Sequence, residues 1–149
     1  MLITISSKHY FLGGTSKVEL KIYSLLLLGS AVCLAIGGYL LVGTVPSLLS
    51  VSTYVVVLVL LILSYLIERG ITWALNLGVI LGIMAILSSS LSQAHLQALS
   101  QLGSSPRITL LDILMVMGFY VFPIAYISLW VKDRVFRRSR GMLEQAKKD

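Results

Sequence analysis

Four long apolar runs separated by short polar breaks dominate the chain. The first, Ile22 to Gly43 (IYSLLLLGSAVCLAIGGYLLVG), contains no charge, and the second, Pro46 to Ile67 (PSLLSVSTYVVVLVLLILSYLI), follows almost at once. The third is Ile71 to Ser88 (ITWALNLGVILGIMAILS) and the fourth Ile108 to Val131 (ITLLDILMVMGFYVFPIAYISLWV). Each run is apolar all round, with neither a two-residue alternation nor a single apolar stripe, as expected of a helix that meets lipid. Crossing a hydrocarbon core of roughly 30 Å at about 1.5 Å per residue takes about 20 residues, a length the third run barely approaches. The Val-rich centre of the second would favour a strand in water, but in lipid only a helix satisfies its backbone. The first run exceeds the roughly 7–15 apolar residues of a secretory signal and follows a 21-residue leader, so it predicts a retained anchor.

The pattern therefore predicts an all-α integral membrane protein, a bundle of four transmembrane helices. Its parts are an N-terminal arm (1–21), spans at 22–43, 46–67, 71–88 and 108–131, an outer loop (89–107) and a basic tail (132–149). Thr44-Val45-Pro46 forms the first turn, with Pro46 suited to a first helical turn. Glu68-Arg69-Gly70 forms the second, with Gly70 as a helix C-terminal cap and Glu68 beside Arg69 as a local ion pair. Pro123 lies inside the fourth span and predicts a kink that frees the carbonyl of Phe119. In the outer loop, Leu91, Ala98, Leu99 and Leu102 share one helical face opposite Gln93, Gln97 and Ser100, and Gly103 follows. That spacing predicts a short amphipathic helix ended by Gly103, with His95 as a structural residue on its apolar face. The third span has a second reading, in which it continues through Ser89 into this helix.

Composition agrees with the pattern. Hydrophobic residues make up 57% and charged residues 12%, about half the charged share of a soluble domain. The net charge of +6 would suit a nucleic-acid partner if it formed a patch. Instead, residues 1–21 carry a net of +2, residues 132–149 a net of +4, and everything between sums to zero. The basicity marks the membrane margins, so lipid is the expected partner and nucleic acid is not. With both termini cytoplasmic, eleven Lys and Arg fall on that side and Arg107 alone on the other. This bias requires an even number of spans, and Trp73 and Trp130 then sit at the same interface.

Candidate chemistry is sparse. Gly29, Cys33 and Gly37 on the first span, and Ala74, Gly78 and Gly82 on the third, recur at four-residue spacing and allow close helix approach. They serve either packing within the bundle or a homo-oligomeric or partner surface. Asp112 is the one carboxylate inside a span. It either completes a Thr109-x-x-Asp112 capping pattern or contacts an ion, proton or partner. Asn76 suits an interhelical hydrogen bond or a ligand contact. Arg134, Arg137, Arg138 and Arg140 suit anionic headgroups or an acidic docking partner.

Cys33 is the sole cysteine, which leaves no intrachain disulfide. No cluster has metal-ligand spacing, and no phosphate loop or nucleophile elbow occurs. No cofactor, metal or catalytic residue is therefore expected. The favoured expectation is a non-catalytic membrane subunit packed against other membrane proteins. The alternative is a small homo-oligomeric transporter or channel using Asp112 and Asn76, with the Pro123 kink.

Overall fold

The computed structural model describes residues 17–42, 47–100 and 103–146. The N-terminal arm before Lys17 and the Thr44-Val45-Pro46 turn lie outside the described residues. The elements are α1 (Lys17–Leu41), α2 (Ser47–Glu68), α3 (Thr72–Leu91), α4 (Gln93–Ser100), α5 (Pro106–Val116), a π-helical turn (Met117–Val121) and α6 (Phe122–Ala146). Among the described residues all regular structure is helical. Four helical stretches are long and apolar enough to cross a membrane, which fits a multi-pass membrane protein. The last of these is one continuous rod made of α5, the π turn and α6.

The α2–α3 turn forms as Gly70 predicts. Gly70 adopts φ +79°, where a side chain would be strained, and its N–H reaches the Ile67 carbonyl at 2.8 Å. The N–H of Ile71 reaches the Leu66 carbonyl at 3.1 Å, completing a Schellman motif. Glu68 and Arg69, expected to pair with each other, each take a separate partner. Glu68 accepts from Ser24, while Arg69 bonds the hydroxyl of Tyr65 and stacks over its ring. At its other end α3 runs to Leu91 and stops for one extended residue, Ser92, before α4 begins. Gly103 beyond α4 has φ +89°.

α1 is the central helix. It packs along α2 on one side and along the last rod on the other, while α3 packs on α6 and meets α2 sparingly. Its buried stripe is Tyr23, Ser24, Leu27, Ser30, Ala31, Leu34 and Gly38, and its opposite face exposes Leu25, Val32 and Ile36. The inward stripe thus holds small and hydroxyl-bearing residues beside Leu27 and Leu34, while the outward face is aliphatic. That is the arrangement expected when the surroundings are hydrocarbon and helix association depends on close packing and hydrogen bonds.

The glycines show how closely the rod is gripped. A methyl at Gly29 would lie 2.7 Å from the Phe122 ring, and one at Gly78 would lie 2.7 Å from Tyr126 Cζ. At Gly82 the nearest atom would be Ile127 Cδ1 at 3.4 Å, whereas Gly37 meets only Leu114 Cβ at 4.0 Å. Ala74 is wholly buried, and Cys33 lies beside Gly118 of the π turn. Both small-residue stripes therefore face the last rod.

Candidate functional site

Three features concentrate the chemistry: a polar belt at one end of the bundle, the π turn with an apolar crevice beside it, and a buried carboxylate near the other end. The belt lies where α1 and α3 begin and where α2 and the membrane-spanning part of α6 end. The Tyr23 hydroxyl donates to Asp133 Oδ2 at 2.5 Å, tying α1 to α6. Ser24 and Ser64 meet at 2.7 Å, Ser64 also reaches the Ser24 carbonyl at 3.1 Å, and Ser24 donates to Glu68 Oε1 at 2.9 Å. These bonds join α1 to α2. The Tyr126 hydroxyl donates to the Leu75 carbonyl at 3.1 Å, and its ring packs edge-on against Tyr23 with centroids 5.0 Å apart.

Asn76 completes the belt on α3. Its Oδ1 accepts from Trp130 Nε1 at 3.2 Å and from Arg134 at 3.1 Å, and the Arg134 guanidinium stacks over the Trp130 ring at 4.9 Å. Asn76 is therefore an interhelical bond that holds α6 against α3, and Arg134 is part of the same contact. The side chains of Arg137, Arg138 and Arg140 lie outside the described residues.

The π turn revises the expectation at Pro123. The Phe122 N–H passes over its α-helical acceptor, Gly118, and bonds the Met117 carbonyl. The π-helical donor to Gly118 would be residue 123, and a proline has no N–H. The unserved carbonyl therefore shifts from Phe119 to Gly118. It is satisfied from outside the helix, by the Ser30 hydroxyl of α1 at 2.8 Å. Ser30 is an interhelical contact that residue-by-residue reading misses, because its partner exists only once the register of α1 against the rod is known.

Beside the π turn lies a crevice of about 300 Å³. Its walls are Val55, Val56 and Val59 on α2 and Leu81 and Ala85 on α3, and its floor includes Phe119, Phe122 and Pro123. Pro123 is buried and contributes its ring to this floor.

Asp112 departs from its capping role. α5 begins at Pro106, and its N-cap is Ser105, whose hydroxyl accepts from the Ile108 N–H at 3.3 Å. Thr109 turns back to the Ser105 carbonyl at 2.9 Å, so Asp112 stands nearly two turns inside the helix. It is 2% exposed, and its Oδ2 has no hydrogen-bond partner. Arg107, the only basic residue near this end of the bundle among the described residues, is exposed and donates to the Leu40 carbonyl at 2.7 Å. From Asp112 to Trp130, the partner of Asn76, the rod rises about 27 Å at 1.5 Å per residue. The structure does not bring Asp112 and Asn76 together.

On α4, Leu91 beside its start and Leu96 within it are exposed, while the side chain of His95 lies outside the described residues. Among the described residues no group of three or more His, Cys, Asp or Glu side chains could hold a metal ion. Comparison with protein-family models, curated proteins and solved structures finds no match for this chain.

Proposed function

We propose that this chain is a non-catalytic integral membrane subunit that docks on other membrane proteins, with both termini on the cytoplasmic side of the cell membrane. The observation that carries the reading is the last helix. α6 does not end where its apolar span ends but continues as a basic rod to Ala146, with Phe136 60% exposed. A polar helical extension of this kind suits a partner surface that is acidic with an apolar spot. The orientation rests on Lys17, Lys21, Arg69, Lys132 and Arg134, all at the end where α1 begins.

Extraction from native membranes in a mild detergent, using an affinity tag, tests the docking. A second membrane chain is expected to co-purify and to be lost with Phe136→Ser combined with Arg137→Glu and Arg138→Glu. Recovery of the free monomer alone would contradict the reading.

A second reading, a small homo-oligomeric transporter or channel, draws on the unpartnered Oδ2 of buried Asp112. Asn76 falls out of that site because Trp130 and Arg134 already engage it. The expected result for this reading is loss of ion or solute flux in Asp112→Asn proteoliposomes, and retention of full flux removes it.

A further inference from the structure

We propose that the extension of α6 beyond the span seats in an apolar groove rimmed by carboxylates on a partner membrane protein. The proposal rests on the docking reading above and gives the docked face its register. Past the span, positions 135, 136, 139, 142, 143 and 146 fall on one side of a continuous helix. They are Val135, Phe136, Ser139, Met142, Leu143 and Ala146, all apolar or small, and Arg138 and Arg140 occupy the two flanks. The opposite side of α6 is the one that holds the bundle. From it Tyr126, Trp130 and Arg134 bond α3, and Asp133 bonds α1. The apolar face is therefore turned away from this chain's own helices, and Val135 and Phe136 are 58% and 60% exposed.

Three occupants compete for a basic amphipathic helix face, and geometry and charge separate them. An anionic bilayer surface requires the helix to lie flat upon it. α6 instead runs unbroken from Phe122, inside the span, to Ala146. From Lys132, the first residue past the apolar run, to Met142 it rises about 15 Å at about 1.5 Å per residue. Even at a tilt of about 40° that lifts Met142 by about 11 Å, clear of a headgroup layer about 5–8 Å deep. A second copy brings the same charges. Residues 132–149 carry a net of +4, and two such faces would set Arg138 and Arg140 of one against those of the other. A groove with acidic rims meets neither obstacle and matches both flanks with charge of opposite sign. Val135 with Phe136, and Met142 with Leu143, form two anchor pairs about 10 Å apart along the axis, with the small Ser139 between them. The matching groove has two apolar pockets and a ridge between them.

A benzophenone amino acid placed singly in the full chain, in its native membranes, tests the groove by photocrosslinking and peptide mapping. Phe136, Ser139 and Leu143 are the positions on the apolar face, and Arg137, Gly141 and Glu144 those on the opposite face. Adducts from the first three are expected to exceed those from the second three several-fold. They are expected to fall on one partner, in a segment whose apolar residues are flanked by Asp or Glu. Arg138→Glu with Arg140→Glu is expected to lower these adducts several-fold, and Arg138→Lys with Arg140→Lys to keep them. Equal adducts from both faces, adducts on lipid or on a second copy, or indifference to the charge reversal would overturn the proposal. A second chain that co-purifies without adducts from this face removes the groove and leaves the docking reading standing, whereas free monomer removes both.

Discussion

At the scale of single residues, the fold depends on where side chains are missing as much as on where they meet. Gly78 and Gly29 are packed so closely by Tyr126 and Phe122 that an added side chain has to displace an aromatic ring. Overpacking of this kind costs about 1–3 kcal/mol. Gly78→Leu and Gly29→Leu are therefore expected to lower the unfolding midpoint in detergent, whereas Gly37→Ala, with 4.0 Å to its nearest neighbour, does not lower it. The stripes that hold these glycines were readable from four-residue spacing, because close approach needs small side chains on one helical face. Which helix they approach was not readable, since that depends on register. The same limit hid Ser24 and Ser64. Each looks like a tolerated hydroxyl in an apolar run until α1 and α2 are laid side by side.

At the scale of elements, the four spans followed from apolar length alone, and the Gly70 cap from the need for a positive φ after Glu68. The start of α5 has a local signal of its own: Ser105-Pro106 is an N-cap followed by a proline in the first turn, two residues ahead of the apolar run that opens at Ile108. The π turn had no such signal beyond Pro123, because nothing local says whether a helix absorbs a proline by kinking or by widening. The geometry does yield a coupling. Ser30→Ala is expected to destabilise the bundle by about 0.6 kcal/mol, and by up to about 1.7 kcal/mol. Pro123→Ala restores a backbone donor at residue 123, so the same Ser30→Ala change is expected to cost measurably less in that background. A double-mutant cycle on unfolding in detergent reads this difference, and additive costs would show that Ser30 does not compensate for the proline.

At the scale of the whole molecule, the central claim is a four-span bundle with the start of α1 and the end of α6 on one side. The Tyr23–Asp133 bond fixes those two ends to each other, and the basic residues cluster around them. The belt ties this end together through side-chain bonds from α1 to α2 and α6 and from α6 to α3. Single cysteines in a Cys33→Ala background, probed with a membrane-impermeant maleimide on sealed right-side-out vesicles, test the claim most directly. Ser104→Cys is expected to label from outside, and Lys17→Cys and Ala146→Cys only after the membrane is opened. Labelling of Ser104→Cys together with either of the other two, before opening, would contradict the four-span bundle.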